Sequence, residues 1–226
     1  MTVRRIAAVK TARYVVLGPE DGPVDEVWVA CHGYGQLVPY FARHFQSVRA
    51  PGRLVVVPEA LSRFYVGDPS TGARRVGASW MTREARESDI ADTVRYLDDV
   101  FVAACARADA DPQAVGLSGF GFSQGTATVV RWIDQSPVLA RRARRVDRLV
   151  LWGGGLPHDF DAAAAGWLAQ AETTLVAGDR DGFATPARVL EQEARLAAAG
   201  APHATRSFPG EHRLNDRVLR DVIREA

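Results

Sequence analysis

Gly121-Phe122-Ser123-Gln124-Gly125 reads G-x-S-x-G directly after an apolar run. Upstream, Ala114-Val115-Gly116-Leu117 and Phe120 predict a buried strand. Downstream, Thr126 to Trp132 predicts a helix. A Ser at the apex of so sharp a strand-to-helix turn is held in strained backbone geometry, with its hydroxyl pointing out of the sheet. Close packing of strand against helix leaves no room for a Cβ at either flank, which is where the two Gly stand. The following helix aims its positive N-terminal end at charge that forms beside the Ser oxygen.

A pentapeptide of common loop residues carries little alone. Nucleophilic chemistry also needs an acid after the Ser and a His after the acid, and both are present. Glu172-Thr173-Thr174-Leu175-Val176-Ala177-Gly178 is a strand-like run, and Asp179 and Asp181 follow it on a loop. Ser207-Phe208 breaks into Pro209-Gly210-Glu211-His212, just before the last helical pattern. Ser, acid and His, each after a predicted strand, is the chain order of an α/β-hydrolase. His212 would take the Ser123 proton and return it to the leaving group, while a buried carboxylate holds the imidazole tautomer. The chemistry does not separate Asp179 from Asp181.

Attack on an acyl carbonyl builds charge on its oxygen, which calls for preorganised backbone donors. One is expected from Gln124, directly after the nucleophile. The other is expected from the loop His32-Gly33-Tyr34-Gly35-Gln36, which follows the apolar run Glu26–Cys31, and is assigned to Tyr34.

With these pieces assembled, the chain resembles the carboxylesterase/phospholipase family of α/β-hydrolases, which includes acyl-protein thioesterases and lysophospholipases. The matching stretches are His32–Gly35, Val57-Pro58-Glu59-Ala60, Ser79-Trp80-Met81, Gly119–Gly125, Gly178–Asp181 and Gly210-Glu211-His212. They span nearly the whole chain in family order, and Phe-Ser-Gln-Gly is more specific than G-x-S-x-G. The resemblance implies that the acid, in a G-x-x-D pattern, is Asp181. Gln36 stands where the family usually has an acid, and Thr126 where it often has a second Gly.

The 226 residues suffice for one sizeable core without a dividing linker, so a single domain over 1–226 is expected. A formal net charge of +1 gives no reason to expect nucleic acid as a partner. Cys31 and Cys105, in apolar contexts, are expected as buried free thiols. The N-terminal stretch lacks the apolar core of a signal peptide, and no run reaches membrane-span length. A cytoplasmic protein without stable membrane insertion is expected. The arginines of Ala140–Arg145 read as a solvated face, and Ala162–Ala165 as a good helix former.

Further strands are predicted at Arg13–Gly18, Leu54–Val57 and Arg148–Trp152. Helices are predicted through Phe41, Phe45 and Val48, from Ser88 through Ala104, from Thr185-Pro186 to Gly200, and over Leu214–Ile223. The alternation predicts a mostly parallel sheet with helices on both faces and at most a short-loop lid. The segment between Pro58 and Trp80 shows no period and reads as a long binding loop. Phe64, Tyr65, Trp80, Met81, Trp152 and Phe183 fall near strand ends and are candidates to line an acyl pocket. Arg63, Arg74 and Arg75 read as surface charge. His44, His158 and His203 lack the neighbours of a metal site, so no metal is expected; no cofactor is expected either. His32 is expected to order the loop it opens. The sequence thus points to a serine carboxylester hydrolase acting on small acyl esters. Thioesters or lysophospholipids are the alternative substrates, and a non-catalytic ligand-binding member of the fold is the rival class.

Overall fold

The computed structural model describes residues 2–19, 22–67 and 75–224. Its strands are β1 (Tyr14–Leu17), β2 (Glu26–Cys31), β3 (Arg53–Pro58), β4 (Ser62–Val66), β5 (Arg75–Ser79), β6 (Gly116–Phe122), β7 (Arg148–Trp152), β8 (Glu172–Gly178) and β9 (His203–Phe208). Its α-helices are α1 (Val38–Phe41), α2 (Arg86–Arg107), α3 (Gln124–Gln135), α4 (Pro137–Ala140), α5 (Pro186–Ala198) and α6 (Asp216–Arg224). Seven strands form one sheet in the order β1-β3-β2-β6-β7-β8-β9. Only the edge strand β1 runs antiparallel to its neighbour.

Side chains alternate across this sheet. Val27, Val29, Cys31, Leu117, Leu149 and Leu151 pack on one face with residues of α2 and α3. Trp28, Ala30, Phe120, Phe122, Val150 and Trp152 pack on the other with Phe41, Phe45 and α6. Both faces are covered, so the central strands read as continuous apolar runs. The chain turns from β2 outward to β3 and later returns to place β6 on the other side of β2. This reversal of strand order opens a crevice beyond the carboxyl ends of β2 and β6.

Several expectations are corrected. The segment after Pro58 is not an irregular loop: β4 and β5 form an antiparallel hairpin in register from Ser62↔Ser79 to Val66↔Arg75. Its tip, with the Asp68–Gly72 turn residues and Arg74, lies outside the described residues, as do Glu20 and Asp21 of the first predicted turn. The helix through Phe41 is one α-turn continued as a 3-10 helix over Ala42–Val48. There Ala42, Phe45 and Val48 are the buried residues, and their three-residue recurrence matches the tighter helix. Ala162–Ala165 forms turns, because Gly166 follows before a helix can nucleate. Arg142 is not on a solvated face; it is buried, with its guanidinium donating to the carbonyls of Pro112 and Val115.

The start of α3 touches the end of β2 backbone to backbone. A Cβ built on Gly125 would lie 2.1 Å from the Cys31 carbonyl oxygen and 2.7 Å from that of His32. Neither neighbour is a side chain that can swing aside. Gly125→Ala is therefore expected to cost about 3 kcal/mol or more, lowering Tm by roughly 6–12 °C in a thermal melt. An unchanged Tm would show that this junction yields.

Candidate active site

Ser123 sits between β6 and α3 with φ 53° and ψ −116°, a combination that L-residues rarely adopt. Local bonds hold it there. Its amide donates to the Trp152 carbonyl at 2.8 Å. Its carbonyl accepts from the Thr126 amide at 3.0 Å and the Thr126 hydroxyl at 2.8 Å. Thr126, standing where the resemblance implies Gly, thus ties down the turn.

The loop after β8 carries Asp181, which is buried. One carboxylate oxygen accepts from the amides of Phe183 and Ala184, both at 2.8 Å. The other oxygen meets His212 Nδ1 at 2.7 Å. Asp179 faces elsewhere: its carboxylate accepts from the Gly210 amide at 2.8 Å and so ties the loop after β9 to the loop after β8. The His212 ring lies between Phe122 and Phe183, at centroid distances of 5.0 and 4.7 Å. Beneath it is Gly153, where a Cβ would lie 2.9 Å from His212 Cε1 and 3.4 Å from Asp181 Oδ2. Gly153 has φ 62°, so both its conformation and the ring above it require Gly. The imidazole thereby stacks on the residue preceding Ser123. Among the described residues the Ser123 hydroxyl has no hydrogen-bond partner. Such contacts commonly tighten only once substrate is bound.

Of the four loop amides from Gly33 to Gln36, three have acceptors. Gly33 donates to Gln36 Oε1 at 2.7 Å, Gly35 to the Ala78 carbonyl at 2.8 Å, and Gln36 to the Gly33 carbonyl at 3.2 Å. The Tyr34 amide has no acceptor among the described residues, and neither does that of Gln124 at the start of α3.

His32 orders the loop it opens, as expected, and residues of two of the family-matching stretches, Glu59-Ala60 and Trp80-Met81, supply the partners beneath it. His32 Nδ1 is 2.7 Å from the Gly33 carbonyl, and its Nε2 accepts from the Ala60 amide at 3.0 Å. The proton is therefore on Nδ1. Burial pushes the imidazole pKa down to about 4, with the Gly33 hydrogen bond opposing. Trp80 Nε1 donates to the His32 carbonyl at 2.7 Å. The Gln124 side chain accepts from the Trp80 amide and donates to the Met81 carbonyl, at 3.1 and 3.0 Å. Glu59, at the end of β3, accepts from the Val38 amide and from Arg13 and Arg63. Burial alone would raise its carboxyl pKa, but these bonds bring it below the ordinary value.

A cleft of about 540 Å³ opens beside Gln124 and Gly153. Two pocket candidates, Met81 and Phe183, line it, and Phe183 is 66 % exposed. The other four do not. Trp80 is only 3 % exposed and is committed to His32. Trp152 belongs to the core of the opposite sheet face, and its Nε1 donates to the Arg213 carbonyl at 3.0 Å, anchoring the loop that bears His212. Phe64 stacks on Tyr34 at 5.1 Å, and Tyr65 projects from the same hairpin. Of the arginines read as surface charge, Arg63 pairs with Glu59, and Arg74 lies outside the described residues. Among the described residues no cluster of His, Cys, Asp and Glu is arranged to hold a metal ion, and no helix is long and apolar enough to cross a membrane.

No protein-family model matches the chain, and no curated protein matches it by sequence. Solved structures do match in shape. The acyl-protein thioesterase 2 of Zea mays superposes with a TM-score of 0.67 at 16 % identity, over 95 % of this chain and 97 % of that one. A carboxylesterase from Mesorhizobium loti gives 0.67 at 18 % identity, over 94 % of each chain. The carboxylesterase of Bacillus cereus gives 0.64 at 15 % identity, over 94 % of this chain and 92 % of that one. The chain therefore has the α/β-hydrolase fold.

His32 gives stability a pH dependence. Its folded pKa of about 4 lies below the ordinary 6.5, so the unfolded chain binds the proton first as pH falls. The contribution is whole above pH 6.5 and is lost as pH drops toward 4. Between pH 7 and 5 the wild type should lose about 2 kcal/mol of stability that His32→Gln does not. Urea unfolding of both proteins at the two pH values measures the difference, and equal losses would refute a buried neutral imidazole.

Proposed function

We propose that this chain is a serine hydrolase of acyl esters, with Ser123, His212 and Asp181 as its catalytic residues. The observation that carries the reading is the 2.7 Å contact between His212 and a buried carboxylate, with the imidazole stacked on Phe122, the residue preceding Ser123. Ser123 Oγ attacks the acyl carbonyl while His212 Nε2 takes its proton. The carbonyl oxygen, now negative, is met by the amides of Tyr34 and Gln124. Collapse expels the alcohol, which receives the proton from His212 and leaves an acyl-Ser123 ester. Water attacks that ester with His212 again as base, releasing the carboxylic acid and restoring the hydroxyl. Asp181 keeps the Nδ1 proton in place and stabilises the imidazolium, so Nε2 is the nitrogen that works.

The same apparatus serves an acyl thioester, and one structural neighbour carries the name acyl-protein thioesterase. Comparing turnover of matched octanoyl oxygen esters and thioesters decides which leaving group is preferred.

On p-nitrophenyl esters, Ser123→Ala and His212→Ala should each lower kcat by about 10⁴-fold or more, and their combination little further, because the members act as one unit. Asp181→Asn should lower kcat by about 10⁴-fold by favouring the wrong tautomer. Asp179→Asn, which only loosens a loop, should cost about tenfold. A fluorophosphonate probe that leaves Ser123 unlabelled in active protein, or equal losses from the two Asp variants, would overturn these assignments.

A further inference from the structure

The cleft beside the candidate nucleophile ends at a charge that the proposed hydrolysis of a simple ester does not use. Arg131 lies two turns along α3 from Gln124, about 10 Å along the helix axis. It lines the cleft, yet its side chain is only 8 % exposed. A guanidinium offers five N–H donors, and burying it without acceptors is costly. Only two contacts are made among the described residues. One N–H donates to Asp159 at 2.7 Å, and another points to the Met81 sulfur at 3.4 Å, a weak acceptor. Asp159 is shared, since Arg86 donates to its second oxygen. Burial would raise the Asp159 carboxyl pKa, but the two arginines hold it well below the usual range. Asp159, with its side chain 40 % exposed, thus faces two guanidiniums, and Arg86 has a second partner in Glu87 at 2.6 Å. Arg131 reaches the cleft where Met81, Leu156, Pro157 and Val189 otherwise make the walls apolar, and three of its five N–H groups have no acceptor among the described residues.

Resting on the hydrolase reading above, we propose that Arg131 is a specificity-determining residue that selects substrates whose acyl chain ends in a carboxylate. A terminal carboxylate supplies the paired oxygens that a guanidinium fork accepts. The leaving alcohol must stay at His212, which protonates it, so the cleft running from Gln124 toward Arg131 receives the acyl part. The 10 Å separation suits a chain of about eight carbons. Glu191 and Arg188 also line the cleft, and their opposite charges leave Arg131 to set the preference.

The test compares mono-p-nitrophenyl suberate with p-nitrophenyl octanoate, which match in length and differ in the terminal carboxylate. The wild type should favour the suberate ester by about ten- to a hundredfold in kcat/KM, chiefly through KM. The preference should shrink with added salt and be absent for the short succinate ester against butanoate. Arg131→Met should bring the suberate-to-octanoate ratio to about one or below, and Arg131→Lys, keeping charge without the fork, should fall between. Arg86 remains on Asp159 in both variants, and a thermal melt checks that the fold persists. Octanoate turnover with no suberate preference in the wild type, or a preference unmoved in folded Arg131→Met, overturns the proposal. Absence of turnover of every ester would instead overturn the hydrolase reading.

Discussion

The approach of α3 to the end of β2 is the constraint on which the rest of the site depends. Gly125 lies against the carbonyls of Cys31 and His32 with no space for a side chain between them. That approach sets how far the loop bearing Tyr34 stands from the turn bearing Ser123. The two free amides come from these two segments, so their convergence is decided by backbone contact, not by side-chain rotamers. Such a gap cannot be widened gradually: close-packed backbone has no soft coordinate along which to yield. The reversal of strand order at β2 supplies the crevice, and the Gly supplies its dimension.

Around this junction the polar groups are mostly neutral. His32 is held uncharged by burial, Gln36 accepts the Gly33 amide with an amide oxygen, and Gln124 binds the backbone of Trp80 and Met81. A carboxylate in place of Gln36 would accept the same hydrogen bond while adding a negative charge within a turn of the Tyr34 amide. The neutral carbonyl fixes the loop at no cost to an oxyanion forming there. The formal charges stand further out, with Glu59 under the loop amid its two arginines, and the Arg86–Asp159–Arg131 group at the far end of the cleft. In the proposed reaction, fixed dipoles would thus be left to act on the reacting oxygen, which is the arrangement that requires least reorganisation.

Much of this was legible in the chain, for identifiable reasons. The central strands declared themselves because both faces are buried and their β-branched runs are unbroken, and the long helix from Arg86 because Ile90, Val94, Leu97 and Phe101 repeat on one side. Ser123 and His212 were legible because sharp turns after strands constrain sequence strongly. The β4–β5 hairpin was not, since Ser62–Val66 has an exposed-to-intermediate pattern with no apolar alternation to read. Four of the six pocket candidates fall outside the cleft for a related reason: an aromatic near a strand end carries no sign of which way it points. Parity along β7 settles Trp152, because it shares a face with Val150 opposite to Leu149 and Leu151. Trp80 turns inward because its indole N–H finds the His32 carbonyl.

Arg131 shows what remains hidden when each residue is weighed singly. On a helix wheel it is one cation among many in an arginine-rich chain, and its spacing from Ser123 is unremarkable for a solvated face. Only the folded chain shows a largely covered guanidinium that lines the cleft, held by Asp159 and with N–H groups to spare. Desolvation is expensive for a charge that serves no purpose, and an apolar residue of similar volume would fill the same space at lower cost. Retaining a cation there is intelligible if an anion arrives to complete its shell. The same burial that penalises the empty cleft strengthens the interaction once it is filled, because little water remains to screen it.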